Sequence, residues 1–215
     1  MVPGVPHASD ERFLVAHGLR IKGLAASSEL AAWVTMSGAE ATDVVSHLDA
    51  LRGRGLARRR EGAVTGWSLT AAGRAAHADA CAKDLASAGC AHALEDGYLC
   101  FLRTNRPFLQ VCTDWQLVTG SEALNEHADP DYDAAVLARL AALHAIVEPI
   151  VDDLASAMSR FAGYRPRLSS SLGQVQSGGR DWFTGAMMQS YHTVWCELHE
   201  DLLATLGIER SKEAT

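Results

Sequence analysis

A chain of 215 residues with 48% apolar and 21% charged residues has room for one large or two small domains, and its composition excludes a disordered or fibrous protein. The net charge of −7 is uneven, +1 over residues 1–80 and −8 over residues 81–215, which argues against a general nucleic-acid binder but leaves room for a local basic stripe in the first part. No stretch reaches the ~18 uninterrupted apolar residues of a membrane span, Met1-Val2-Pro3-Gly4-Val5-Pro6 lacks the regions of a signal peptide, and the five cysteines are odd in number and irregularly spaced, so a cytoplasmic chain with reduced thiols and no membrane partner is expected.

Asp10 is placed to cap a helix through Phe13, Leu14 and His17 to about Lys22, with Gly23 as its stop. Ser27 or Ser28 can cap a second, short helix through Leu30, Ala31, Trp33 and Val34, ended at Ser37-Gly38. Ser37-Gly38-Ala39-Glu40 then reads as a capping box that opens a third helix. There Ala41, Val44, Val45, Leu48 and Leu51 recur at three- and four-residue steps and form the packed face, while Ala39, Thr42, Asp43, Ser46 and His47 look outward. Gly53 and Gly55 end it. Leu56–Arg60 and Gly66–Thr70 are strand candidates around Glu61-Gly62-Ala63-Val64-Thr65, the pattern of a hairpin. Thr70 caps another helix that continues toward Ala88.

Three helices, a hairpin and the run Leu51-x-x-x-Gly55-Leu56-x-Arg58-Arg59, followed by Trp67-Ser68-Leu69-Thr70-x-x-Gly73-Arg74, together resemble the winged helix-turn-helix of MarR-type transcriptional regulators, over about residues 10–80. The resemblance implies that the helix matching residues 38–52 enters the major groove of double-stranded DNA, that the hairpin matching residues 56–70 touches the backbone or minor groove, and that the protein works as a homodimer. On that reading the DNA-binding residues are Ala39, Thr42, Asp43, Ser46, His47, Arg52, Arg54, Arg58, Arg59, Arg60 and Thr65. The five arginines are the densest basic cluster in the chain and suit phosphate contacts. Against them stand Glu40 and Asp43 and the lack of Arg or Lys on the outward face of the third helix, which removes the commonest contact to guanine and leaves specificity to Thr42, Ser46 and His47. The alternative is a protein-interaction or ligand-binding module whose winged helix does not read DNA.

Residues 81–215 read as nearly all helix. A segment over about 92–118 carries Pro107, liable to kink it; a long one places Val136, Leu140, Leu143, His144, Val147, Val151, Leu154, Met158 and Phe161 on one face from Tyr132 onward; a short one covers about 167–175; a last one runs from Thr184 to Leu206 and closes at Gly207. The expected architecture is mainly α: a winged helix-turn-helix at residues 8–80 and an α-helical dimerisation and effector-binding domain at 81–215. In the last helix His192, Cys196 and His199 share one stripe, with Glu197, Glu200 and Asp201 pointing elsewhere. The stripe reads as core histidines, as an organic effector pocket, or as a site for zinc or haem iron. No cofactor is expected, and zinc or haem at His192, Cys196 and His199 is the alternative. The candidate effector residues are Trp115, Gln116, His127, Tyr132, His144, His192, Trp195, Cys196 and His199, which combine aromatic surface with convergent polar groups. The chain has no Gly-x-Ser-x-Gly elbow, phosphate-binding glycine loop, His-Glu-x-x-His or Cys-x-x-Cys, so an enzyme is not expected.

Overall fold

A computed structural model describes residues 5–62 and 65–212; Met1–Gly4 of the leader reading and Ala63-Val64 of the hairpin tip lie outside the described residues. Local signals set the first elements. Asp10 accepts from Phe13 N at 2.7 Å and starts α1 (Glu11–Lys22), and Gly23, at φ 72°, ends it. The α2 helix (Ser27–Met36) opens at Ala26 rather than at a serine, because Glu29 accepts the Ala26 N–H at 2.7 Å.

The capping box expected at Ser37–Glu40 does not form. Ser37 is buried and closes α2, its N–H donating to Trp33 O at 2.9 Å, and α3 begins only at Val44 (Val44–Gly53). Its start is held from α1 instead: Glu11 accepts from Asp43 N and from Thr42 Oγ1, both at 2.8 Å. With this start the buried stripe is Val44, Leu48 and Leu51, and Val45, expected to pack, is 59% exposed.

Strands β1 (Ala57–Arg60) and β2 (Gly66–Leu69) pair antiparallel, Ala57 opposite Leu69 and Arg59 opposite Trp67. Ala25 and Trp67 exchange two backbone hydrogen bonds and tie the hairpin to the α1–α2 turn. Thr70 Oγ1 accepts from Gly73 N and starts α4 (Ala71–Ala88); Gly73 passes so close to the hairpin that a Cβ there would meet Leu56 O at 1.8 Å.

The α5 helix (Ala91–Gln116) runs unbroken through Pro107, where a kink is expected from sequence. Asp129 caps α6 (Pro130–Ala157), which ends short of Phe161; a 3-10 turn over Ser159–Gly163 leads into α7 (Tyr164–Gln176). The helix expected from Thr184 starts only at Tyr191, as α9 (Tyr191–Leu206), because Ser190 caps it by accepting from Thr193 N; Thr184 instead ends a separate short helix, α8 (Asp181–Thr184). Gly97 of α5 lies against Leu154 of α6, and Asp114 pairs with Arg139 at 2.7 Å, so these two long helices pack antiparallel.

Helix α9 packs against α1, α4, α5, α7 and α8. One continuous core therefore runs from Leu14, Trp33 and Leu48 to Phe101, Val151 and Leu202, and the expected boundary at residues 80–81 falls inside α4. The fold is mainly helical with one small two-stranded sheet. By length and composition α6 is apolar enough to cross a bilayer, its best 18-residue window having a mean hydropathy of 1.7; its inward stripe Val136, Leu140, Val147, Val151 and Leu154 serves the core.

Candidate functional site

The first candidate surface is basic. Arg52 and Arg54 at the end of α3 and Arg58, Arg59 and Arg60 on β1 are all exposed, as is Thr65. Strand alternation sends Arg58 and Arg60 to one face of the hairpin and Arg59 to the other. Arg52 lies over the Trp67 ring at 5.7 Å and pairs with Asp49 at 3.0 Å. Among the described residues Arg54, Arg58 and Arg60 have no carboxylate partner. Beside them Asp43 and Ser46 are exposed and Ala39 half-buried, while Thr42 bonds to Glu11 and His47 lies 3.8 Å from the same carboxylate. Glu11 thus occupies two of the three side chains on which base reading was expected to rest.

The second candidate is buried and was not foreseen. Asp201, with no exposure, lies at the meeting point of α9, α1 and the 3-10 turn, although the sequence sets it, with Glu197, off the stripe expected to face the interior. It accepts from His17 Nε2 at 2.9 Å, Tyr164 OH at 2.9 Å, Thr205 Oγ1 at 3.1 Å and Arg160 Nε at 3.3 Å. Burial by itself would raise its pKa, but the facing His17 and Arg160 charges and the hydrogen bonds from His17 and Tyr164 outweigh burial and hold the carboxyl far below its usual range. Arg160, also buried, reaches on to Asp84, which holds His7 Nε2 at 2.8 Å and Ser9 Oγ at 2.9 Å.

On the far side of His17, its Nδ1 is 2.9 Å from His77 Nε2, and Cys81 Sγ is 3.3 Å from that same His77 nitrogen. All three side chains are buried. Burial first, then the charges of His17, Arg20 and Arg160, pushes the His77 pKa down to about 3, and burial pushes the Cys81 thiol up to about 12. The three ligand atoms lie within 4.8 Å of one another, the residue types and spacing that could hold a metal ion.

Compared with protein-family models, with characterised proteins and with solved structures, the chain matches none.

The expected effector residues do not line one pocket, although His192 and Trp195 both stack on Phe108. Trp115, His127 and Tyr132 come together as a clasp on the α5–α6 connection: the Trp115 and His127 rings lie 4.4 Å apart, tilted by 48°, His127 Nδ1 meets Asp133 at 3.0 Å, and Tyr132 OH donates to Asp114 O at 2.7 Å. Gln116 is exposed at its edge. His144 bonds to Tyr191 OH at 3.1 Å, Trp195 stacks on Phe108 at 4.1 Å and donates to Asn105 Oδ1 at 3.0 Å, and His199 packs against Phe101. His192 and Cys196 line an open cavity of about 770 Å³ with Ile21, Leu24, Met187 and Met188.

That cavity adjoins a groove of about 810 Å³ between α2, α7 and α8, lined by Ala32, Met36, Pro166 and Trp182. The two share Lys22, Glu29 and Gln189. Between them the buried Glu197 accepts from Lys22 at 2.9 Å and from Arg167, which also meets Gln189. Sequence shows Glu197 and Asp201 only as lying off the histidine stripe, because their basic partners, Lys22, Arg160 and Arg167, lie far away in sequence. His77 and Cys81, four residues apart on an alanine-rich helix, carried a readable signal for the buried cluster.

Proposed function

We propose that the chain is a dimeric DNA-binding transcriptional regulator in which α1–α3 and the hairpin act as a winged helix-turn-helix and the remaining helices sense a small molecule. The observation that supports it is the run of exposed arginines from Arg52 to Arg60, most without a carboxylate partner, set beside the open side of α3 in an otherwise acidic chain. Unpaired guanidinium groups at the edge of a helix suit the phosphates on either side of a groove. On α3, Ser46 and Val45 are the groups free to meet base edges.

The effector site of this reading is the 810 Å³ groove rather than the histidine stripe. Its size is that of a ligand cleft, its walls are apolar with Lys22 and Arg167 at one end, and one wall is α2, which packs on α3. An occupant changes DNA affinity to the extent that it binds the DNA-bound and free forms unequally.

Selection from a pool of random duplexes, followed by anisotropy titration of the recovered sequence at stated salt, tests the reading. Nanomolar binding that weakens in Arg58→Ala and Arg60→Ala supports it, whereas no binding at low salt by folded protein removes it. A second reading, a protein-contact module, is favoured by the exposed carboxylates Glu40, Asp43 and Asp49 around α3, which repel a phosphate backbone.

A further inference from the structure

The cluster on the inner side of α1 and α4 has the geometry of a metal centre. His17 Nδ1, His77 Nε2 and Cys81 Sγ form a triangle with edges of 2.9, 3.3 and 3.8 Å. A point equidistant from the three atoms lies about 2 Å from each, the length of a Zn–N bond and slightly under a Zn–S bond. We propose that His17, His77 and Cys81 bind one zinc ion.

Three further features support the assignment. His17 keeps its Nε2 proton for Asp201, 2.9 Å away, so Nδ1 is the nitrogen turned to the cluster; a carboxylate behind a ligating imidazole is the arrangement that orients histidine ligands and raises their basicity. Asp201 is itself held by Arg160, Tyr164 and Thr205, so the orienting group cannot swing away. The ligand types, two imidazoles and a thiolate, select a borderline ion such as zinc over magnesium or calcium. His77 and Cys81 are one helical turn apart on α4, and α1 supplies the third ligand, so the ion would join two elements that meet beside the hairpin. A cavity of about 470 Å³ is lined in part by Cys81 and one of about 570 Å³ by His77, and the fourth position would be filled by water drawn from one of them.

Binding converts the Cys81 thiol to thiolate and clears the proton lying between the two rings. The thiol proton leaves to water, and the ring proton either follows it or moves to His77 Nδ1. At least one proton is therefore released per ion, and affinity rises with pH.

The test uses the full chain, stripped with a chelator and titrated with Zn²⁺ or Co²⁺ alone. The expected result is one ion per chain, proton release on binding, a thiolate-to-cobalt charge-transfer band with d–d bands of tetrahedral intensity, and a zinc-dependent rise in melting temperature. Cys81→Ser should abolish the charge-transfer band and weaken zinc at least tenfold, while Cys112→Ser and Cys196→Ser leave both unchanged. Zinc binding that survives in Cys81→Ser, or no stoichiometric binding at micromolar metal, overturns the proposal and leaves a hydrogen-bonded core cluster. Should Cys81→Ser fail to fold, the cobalt spectrum of the unaltered chain decides alone: without the charge-transfer band the proposal falls.

Discussion

His17 donates through Nε2 to Asp201 across 2.9 Å with no solvent at either side chain, although 184 residues separate them in the chain. The first helix is thereby anchored to the last through a hydrogen bond to a buried carboxylate in the core. Removing His17 takes from the buried Asp201 carboxylate one of its donors, which is more costly than losing an exposed ion pair.

Asp201→Ala should accordingly lower stability by about 3–5 kcal/mol, since it takes the buried acceptor from His17 and Tyr164 and leaves Arg160 with Asp84 as its one carboxylate among the described residues. Urea unfolding followed by circular dichroism measures this. A loss under about 1 kcal/mol would mean that water enters the cavity and solvates Arg160.

Glu11 should matter to α3 more than to its own helix. Glu11→Ala removes the acceptor for Asp43 N and Thr42 Oγ1, and by analogy with helix-cap deletions it should cost about 1 kcal/mol. The Asp43 amide hydrogen bond, above all, lowers the Glu11 pKa from 4.5, so the native state binds this proton less readily than the unfolded chain. Its stabilisation is complete above pH 4.5 and is lost as pH falls through the lower native value. The difference in stability between Glu11→Ala and the parent should therefore be constant near neutrality and shrink on acidification below that point.

Gly73→Ala should be among the most damaging single-methyl changes in the chain. The added Cβ would sit 1.8 Å from Leu56 O, a backbone atom that cannot rotate aside, so α4 must shift off the hairpin at about 3 kcal/mol or more. Gly53→Ala, where nothing lies within 4 Å, is the control, and thermal melts of the two variants should diverge clearly.

For the regulator reading, Arg58→Ala and Arg60→Ala should weaken binding to every duplex alike and reduce the slope of log affinity against log salt by about one unit per lost phosphate contact. Ser46→Ala should leave that slope unchanged and blur sequence preference. Titrations at several salt concentrations separate the two behaviours.

Leu99 and Leu109 on α5 and Ile146 on α6 are each about half exposed, more apolar surface than two paired helices need leave open. Light scattering should give twice the chain mass at micromolar concentration. Leu109→Glu with Ile146→Glu should return it to the single chain with helical circular dichroism retained. A monomeric parent removes the dimer from the reading.

Legibility in the sequence followed the range of the interactions. The bounds of α1, the hairpin and α4 were readable because Asp10, Gly23, Gly55 and Thr70 act on neighbours within a few residues. The start of α3 was not, since a competent local capping pattern at Ser37–Glu40 lost to Glu11, more than thirty residues upstream. The start of α9 lies seven residues beyond the expected Thr184, because Ser190 supplies the cap that Thr184 does not. Most was lost at α9, whose carboxylates look like a solvated face until Lys22, Arg160 and Arg167 arrive from other elements. A helix surrounded on nearly all sides has no polar face to recognise.

Because α4 holds Gly73 against the hairpin at one end and carries His77 and Cys81 toward α1 and α9 farther along, the chain has no clean place to be cut near residue 80. A fragment stopping there would sever α4 between His77 and Cys81, deprive His17 of Asp201 and uncover the flank of α1 that α9 shields. Such a piece would make a poor surrogate for the arginine-bearing surface, prone to self-association through the uncovered α1 face. Grafting that surface onto another scaffold would mean transplanting α9 along with it.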